Sequence, residues 1–445
     1  MARTKTKQTG KEDKAEKKSR KSNMKKLKWD QLDNTAQLFP VIAREGMTNV
    51  YRVSVVLNED IQADLLQKAV EKVLPYFDVF KCTMKRGFFW YYFEENLSPI
   101  PRILEEHQYP CLFMDPQTNN RYMFRVSYYK NRINLEVFHA LSDGNGALNF
   151  LKEITYQYLR YSHEELAAIS QDKLDISTSL DSSDSYLQNY THKEKKTYET
   201  QKAVEIKGDK LPDNKLAVIH GIVPVDQIKK VSKEYGVTIN QYIVAAYAWA
   251  IYKSYLRGQP SAEPIITSVP VNLRPFFGSD TNRNFFVVVS ALFKPEKKDY
   301  TFDEVVEITK ESLQKQINKE NLEKLFSYNV SNQQNLLLRS IPLSIKKIAI
   351  NQVYLASAKA STTTVTNLGS ISVSETYRDY IDRFQAILSM SYKQNIKITV
   401  LSYMNKMAIT FSSNIIDTDI QKTFFRKLTE DGIEVTIDTN GVYYE

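Results

Sequence analysis

A predicted β-hairpin that leads directly into a long helix constrains the fold of this 445-residue chain more than any other feature. Two short β-rich runs, residues 123–129 and 133–138, flank the turn residues 130–132, a pattern that predicts an antiparallel hairpin. Apolar residues then recur at helical spacing over residues 147–159. A helix that follows a hairpin so closely packs back on its sheet, so we predict an α/β protein with α and β structure in separate layers.

The connection between this hairpin and its helix contains the order His139-x-x-x-Asp143-Gly144. A histidine at the end of a strand can expose one ring edge to a substrate, and its ordinary pKa of about 6.5 suits proton transfer near neutral pH. Asp143 is close enough in sequence to fix the local geometry. These residues alone leave two interpretations open, a catalytic histidine or a core histidine beside an ordinary Asp-Gly turn.

Length and charge divide the chain into parts. The chain exceeds the usual limit for one hydrophobic core, which predicts two domains. Residues 1–28 contain twelve Lys or Arg and three acids, a net charge of +9 in a chain whose total is +8. This basic tail is too polar to build a core, and we expect it to be disordered. Its role stays open between a solvated extension and contact with anionic lipid or nucleic acid.

Targeting and metal signals are weak in this sequence. No apolar segment follows the tail, so it does not resemble a secretory signal, and the longest apolar stretch, 242–252, is too short to span a bilayer. Cys82 and Cys111 predict neither a disulfide framework nor a metal site. We therefore expect a cytoplasmic protein, with peripheral contact at a membrane surface left open.

The pattern along the chain predicts a tail (1–28), a first lobe (29–163), a crossover (164–215) and a second lobe (216–445). The crossover is rich in Ser, Asp, Lys and Thr, and we expect it on the surface. In the second lobe, Thr238 and Gln241 predict a capping box for a helix over 239–256, which is apolar nearly all round and should lie deep between layers. The strands predicted toward the end of this lobe are 386–392, 396–403 and 407–413.

The His139-x-x-x-Asp143-Gly144 pattern on a strand, turn and helix resembles the active-site motif of the CoA-dependent acyltransferase superfamily, which includes alcohol acetyltransferases and peptide-synthetase condensation domains. Residues 32–40 resemble the first segment of the alcohol acetyltransferase branch. The resemblance covers roughly residues 30–430. It implies two chloramphenicol-acetyltransferase-like α/β lobes with an active-site tunnel between them, in which His139 is the general base.

The resemblance also implies roles for residues outside the motif. Asp143 is expected to hold its loop through an ion pair with Arg274, which ends a predicted strand. Gly144 is expected to adopt a backbone conformation closed to residues with a Cβ atom. Asn284 occupies a position where relatives carry Gly-Asn, and a segment beginning at Thr366 resembles an Asn-Leu-Gly strand on the acceptor side. The candidate substrate-binding residues are therefore Arg274, Asn284, Thr366 and Asn367, beside the candidate catalytic residues His139, Asp143 and Gly144.

The function implied is an acyl-CoA-dependent O-acyltransferase that acts on an alcohol. Acyl-CoA is then a co-substrate, and neither a bound cofactor nor a metal is expected. Phe138 stands where relatives that make peptide bonds have a second histidine, which favours the alcohol acetyltransferase branch. Three alternatives stay open: an N-acyltransferase with an amine acceptor, an enzyme that takes its donor from an acyl carrier protein, as condensation enzymes do, and a non-catalytic binding module. We expect a monomer.

Overall fold

The computed structural model describes residues 28–166, 174–191, 201–212, 215–335 and 339–444, so the predicted tail lies outside the described residues except for Lys28. The strands, numbered in chain order, are β1 Trp29–Gln31, β2 Val50–Leu57, β3 Cys82–Arg86, β4 Tyr91–Glu95, β5 Leu104–Glu105, β6 Phe124–Tyr129, β7 Arg132–Phe138, β8 Ala217–Pro224, β9 Ile265–Asn272, β10 Phe286–Phe293, β11 Thr363–Ser370, β12 Ile381–Leu388, β13 Ile396–Tyr403, β14 Lys406–Ser413 and β15 Thr436–Thr439. The helices are α1 Phe39–Ile42, α2 Ala63–Val73, α3 Gly144–Ser162, α4 Ser185–Gln188, α5 Val225–Glu234, α6 Ile239–Ala250, α7 Arg274–Phe277, α8 Phe302–Gln314, α9 Lys319–Gln334, α10 Leu343–Ala358 and α11 Asp419–Glu430.

The first lobe is built on a five-stranded sheet with the order β12-β2-β7-β6-β5. Its hairpin is confirmed as β6 and β7, which pair antiparallel from Phe124 opposite Val137 to Tyr129 opposite Arg132. The apolar faces of α2 and α3 pack on this sheet and form one continuous core with it. A smaller sheet, β1-β4-β3, lies at the side of the lobe.

The second lobe is built on a seven-stranded sheet with the order β10-β9-β11-β13-β14-β8-β15. The capping box predicted for α6 is present, because the Thr238 side chain accepts from the Gln241 backbone while the Gln241 side chain accepts from the Thr238 backbone. Most of α6 is buried between the sheet, α8 and α11, as its apolar sequence predicts. The α/β layering predicted from the sequence is therefore confirmed.

Two sequence predictions differ from the structure. The strand predicted at 386–392 is instead β12, which begins five residues earlier and pairs antiparallel with β2 of the first sheet. Partner choice sets these bounds, because pairing with β2 requires residues 381–388. The crossover 164–215 is not confined to the surface, since Val204 and Ile206 are buried in the second core. Residues 167–173, 192–200 and 213–214 of the crossover lie outside the described residues.

Candidate active site

His139 lies where β7 ends, at the junction of the two lobes. Its backbone N–H donates to the Asn49 carbonyl at 2.9 Å, which holds the residue beside β2. The imidazole stacks on Phe39 of α1, with ring centroids 4.4 Å apart, and meets the Tyr51 ring edge-on at 5.0 Å. The residue keeps partial exposure to solvent. The ring is therefore fixed in orientation by its aromatic neighbours.

One nitrogen of this imidazole is held by a second-lobe residue. Nδ1 of His139 lies 3.1 Å from Oδ1 of Asn284, and Nδ2 of Asn284 donates to Oδ2 of Asp33 at 3.1 Å. When Asp33 is ionised its carboxylate only accepts hydrogen bonds, and it then orients the amide with its oxygen toward the histidine. Nδ1 then carries the proton and donates it, which leaves the lone pair on Nε2. The residues assemble a neutral imidazole with its basic nitrogen free.

The titration of these groups follows from their burial. Burial lowers the pKa of His139, against the opposing effects of its own backbone carbonyl, Asp143 and Asn284. The buried Lys397 also lowers the pKa of His139. Burial raises the pKa of Asp33 to about 7, although hydrogen bonds from Ala36 and Asn284 favour its ionised form. His139 is therefore neutral at neutral pH, the form that a general base requires.

Asp143 is the N-cap of α3 and the first-lobe partner of Arg274. Its Oδ1 accepts from the backbone N–H groups of Asn145 and Gly146, each at 3.1 Å. Arg274 donates from Nη1 to Oδ2 at 2.9 Å and from Nη2 to Oδ1 at 3.0 Å. The Phe285 backbone N–H is a second donor to Oδ2, at 3.0 Å. A carboxylate that accepts from this many donors is fixed in position and anchors the loop.

The guanidinium of Arg274 donates hydrogen bonds to several other groups of the protein. Besides Asp143, it donates to the backbone carbonyls of Thr281 and Arg283 and to the Asn272 side chain. Both members of the pair are largely buried. The structure thus brings Arg274 to Asp143, the pairing that the resemblance implies, and uses it to join the two lobes behind His139.

The backbone conformation predicted for Gly144, one closed to residues with a Cβ atom, is wrong. Gly144 is not among the residues with positive φ, so its backbone conformation is open to other residues. A Cβ atom at Gly144 would instead lie 2.5 Å from Cδ2 of Leu368, the flexible end of a side chain. The stricter position is Gly146, where a Cβ atom would collide with the Asn282 carbonyl and the Ser142 hydroxyl. Close approach of other atoms, and not φ, requires glycine at position 146, two residues after the motif.

The segment that contains Thr366 and Asn367 lies beside the motif loop through Leu368, whose side chain covers Gly144. Asn367 donates to Oδ1 of Asn240 at 3.3 Å and accepts from the backbone N–H of Gly369 at 2.8 Å. Thr366 pairs in register with Thr399 of β13. The structure brings this segment to the site but does not link either residue to His139 by a hydrogen bond.

Three cavities on the described part of the chain have volumes of about 970, 590 and 50 Å³. The largest lies against the segment 100–119 and the end of the crossover, and His139 lines none of the three. The tunnel expected at His139 therefore stays a prediction. Among the described residues, no group of three or more His, Cys, Asp or Glu is placed to hold a metal ion.

Sequence reasoning missed the residues that orient the imidazole from the N-terminal side. Asp33 and Phe39 both lie in the segment 32–40, which resembles the alcohol acetyltransferase branch, yet neither was a candidate site residue. Asn284 was predicted to bind substrate, whereas its side chain is buried between Asp33 and His139. The signal that could have identified Asp33 from the sequence was its position just after a short strand.

Comparison with known proteins was made by sequence and by structure. No family model and no curated protein matches the sequence. The structure resembles polyketide synthase associated protein 5 from Mycobacterium tuberculosis, with TM-score 0.60 and 13% identity over 89% of this chain and 96% of that one. It also resembles the trichothecene 15-O-acetyltransferase of Fusarium sporotrichioides, with TM-score 0.57 and 13% identity over 90% and 94% of the two chains.

A third similar structure is the first condensation domain of the calcium-dependent antibiotic synthetase, with TM-score 0.57 and 12% identity over 92% of this chain and 99% of that one. These likenesses extend over both lobes of the chain. The chain therefore shares the two-lobed α/β fold of this acetyltransferase and this condensation domain.

Proposed function

We propose that this protein is an acyltransferase that moves an acyl group from acyl-CoA to an alcohol, with His139 as the general base. The observation that carries the proposal is the Asp33–Asn284–His139 chain of hydrogen bonds. It fixes the tautomer whose Nε2 accepts a proton, on a partly exposed ring between two lobes. An inert core histidine has no need of a free nitrogen.

The reaction proceeds by direct attack. The acceptor hydroxyl adds to the thioester carbonyl while Nε2 of His139 takes its proton, a step typically worth about 10²–10⁴-fold in rate. The tetrahedral intermediate then expels the CoA thiolate, which takes that proton from the imidazolium. One C–S bond breaks, one C–O bond forms, and the imidazole returns to its neutral form.

Two features support direct attack over a covalent acyl-enzyme. Burial raises the pKa of Cys82 to about 11 and raises that of Cys111 further, so both thiols are protonated and poor nucleophiles at neutral pH. The only hydrogen-bond partner found for the imidazole among the described side chains is Asn284, and no serine or threonine hydroxyl is bonded to it. We assign Asp143 and Arg274 to positioning, and Thr366 and Asn367 to the acceptor side.

The acyl donor and the acceptor are proposed from the similarities in fold. Similarity in fold to an O-acetyltransferase supports an alcohol acceptor, and Phe138, which packs among apolar residues, adds no second base. Similarity in fold to a synthetase condensation domain supports an amine acceptor or a carrier-protein donor as the second candidate. A cytoplasmic location and a monomeric state belong to the same proposal.

Mass spectrometry of reaction mixtures tests the function. Wild type and His139→Ala are incubated with acyl-CoA donors of several chain lengths and with alcohols or amines, and in parallel with acyl carrier proteins as donors. His107→Ala, which removes an exposed histidine, is the matched control. We expect ester formation from acyl-CoA that is lost only in His139→Ala. Turnover that persists in that variant contradicts the role of His139, and turnover restricted to carrier-protein donors replaces acyl-CoA with the second candidate.

A further inference from the structure

Helix α10 exposes three of its apolar side chains and buries a lysine. Ile345, Ile348 and Val353 are 57%, 67% and 67% exposed, whereas Lys346 is only 7% exposed. Isoleucine and valine are usually among the most buried residues, and lysine among the least. A helix whose apolar side chains face outward has lost the usual reason for folding against its own protein. This surface therefore needs another explanation.

Contacts with the hairpin of β3 and β4 hold the buried lysine, Lys346, in place. The Lys346 ammonium lies 3.3 Å from the centroid of the Trp90 ring and donates to the Phe89 carbonyl at 3.2 Å. The Leu343 backbone N–H donates to the Phe88 carbonyl at 2.9 Å. These bonds hold the first turns of α10 against the hairpin, and Ile345 and Ile348 remain exposed.

The same hairpin exposes large aromatic side chains next to the start of α10. Phe88 at its tip is 72% exposed, and Phe89 and Trp29 are exposed as well. Together with Leu187, these aromatic residues line the cavity of about 590 Å³. Exposed apolar residues scattered singly are normal, but a contiguous group of this kind marks an interaction surface. We name the group Trp29, Phe88, Phe89, Ile345, Ile348 and Val353 the apolar face.

The part of the chain that carries α10 is basic in sequence, although Lys346 is buried against the hairpin and Lys324 pairs with Glu320. Residues 324–374, which include all of α10, contain five Lys or Arg and no Asp or Glu. The tail with its net charge of +9 joins the protein at Lys28, directly before Trp29. Large apolar side chains with basic residues beside them are typical of helices that lie in the interface of an anionic membrane.

We propose that the apolar face docks this protein on an anionic lipid surface, with the basic tail supplying the electrostatic attraction. A second copy of the chain fits less well, because a two-fold interface would set the same basic residues against each other. A tail of twelve Lys or Arg also matches the spread charge of a lipid leaflet better than one compact acidic patch. The described residues contain no helix that could cross a bilayer, so attachment would be to one leaflet.

The docked orientation has a consequence that rests on the proposed function. Helix α10 packs on α1, and Phe39 of α1 stacks on the His139 ring. Tyr354 of α10 donates to the Met47 sulfur at 3.2 Å and strengthens this packing. One helix of about 10 Å diameter therefore separates the apolar face from the segment that supports the base. A docked membrane would then lie on the side of the protein from which α1 supports the base.

Vesicle co-sedimentation of the full chain tests the proposal without any turnover. The vesicles are phosphatidylcholine alone, or the same lipid with about one-third phosphatidylserine, each at low and high salt. The first variant is Ile345→Gln, Ile348→Gln, Val353→Gln, which keeps good helix formers in α10. The matched control is Met404→Gln with Ile437→Gln, two exposed apolar residues of the second lobe. The second variant replaces six tail residues by Gln: Lys5, Lys7, Lys11, Lys14, Lys17 and Lys18.

We expect wild type and the control to bind the anionic vesicles and to be released by salt. The α10 variant should bind at least about tenfold more weakly while keeping its melting temperature. The tail variant should lose the preference for phosphatidylserine. Equal binding by the α10 variant and the control overturns the proposal, as does a wild-type dimer that the α10 variant converts to a monomer. His139→Ala should bind as wild type does, so failure of the proposed function would leave this result intact.

Discussion

His139 and His220 are both held in surroundings that keep their rings neutral, yet only His139 lies where the proposed reaction would take place. Burial lowers the pKa of His139, and burial together with Arg132, Arg383 and Arg52 lowers that of His220 to about 3. His220 lies on β8 with Nδ1 2.7 Å from the Thr410 hydroxyl, and its side chain is buried. His139 ends a strand, keeps partial exposure and has its Nδ1 held by Asn284.

The difference shows what a lowered pKa does and does not indicate. Desolvation alone produces a neutral imidazole at either position. A general base also needs a fixed tautomer and a path to the reacting proton, and these come from Asn284 and from the junction between the lobes. The two histidines therefore differ in their position in the fold and not in the direction of their pKa shifts. Substitutions at and around each ring test this difference.

Removal of the His139 ring should lower turnover far more than removal of the His220 ring. His139→Ala should lower kcat by about 10²–10⁴-fold, because no other group takes the acceptor's proton. His220→Asn should leave kcat within a factor of about three per folded molecule, since this ring lies inside the second sheet. Steady-state kinetics on protein of matched folded fraction measures both. A comparable loss of kcat in His220→Asn would break the distinction between the two histidines.

Asp33→Asn should disable His139 while leaving the ring in place. The new amide nitrogen would face Nδ2 of Asn284, so the Asn284 amide would turn and present its N–H groups to Nδ1 of His139. The proton then moves to Nε2, and kcat should fall about 10²-fold or more, as expected of a wrong tautomer. Imidazole ¹⁵N NMR should show the change in protonated nitrogen.

A double variant in which residues 33 and 284 are exchanged tests whether the lost rate can be restored. Asp33→Asn combined with Asn284→Asp restores an acceptor toward Nδ1, and we expect it to recover most of the lost rate. Asp184→Asn is the matched control, because Asp184 is another carboxylate whose pKa burial raises, but it caps α4 and asparagine caps helices equally well. Full activity in the single Asp33→Asn variant would show that the tautomer is not set by this chain of hydrogen bonds.

His220 should make the fold sensitive to acid. Its pKa is about 3 in the folded state and about 6.5 when unfolded, so between these values the unfolded chain binds the extra proton. Stability from this group is full above pH 6.5 and declines as the pH falls toward 3, by at most about 1.4 kcal/mol per pH unit. Urea titrations of His220→Asn should show a shallower decline over this range. An unchanged slope would mean that the ring takes up its proton without unfolding.

Local patterns predicted more of the fold than of its connections. The hairpin, the helix after it and the capping box of α6 depend on neighbours in sequence, and all are confirmed. The partner of β12 lies more than 300 residues away, and residue periodicity carries no information about that choice. The site shows the same division. The motif gave His139 and Asp143, and the resemblance gave Arg274, but the link from Asp33 through Asn284 joins three distant segments.

Lys397 offers the finest test of the comparison, because it acts on His139 only through its charge. It is buried on β13, where it donates to the Ser389 carbonyl at 2.8 Å and to the Ser391 hydroxyl, and burial lowers its pKa to about 7. Below that pH its charge opposes protonation of His139. Lys397→Met should therefore raise the pKa of His139, and the acid limb of kcat/KM should move to higher pH with little change in the plateau. Lys422→Met, which removes an exposed lysine, should leave the limb in place. A limb that stays fixed in Lys397→Met, or moves equally in both variants, would show that Lys397 does not set the titration of the base.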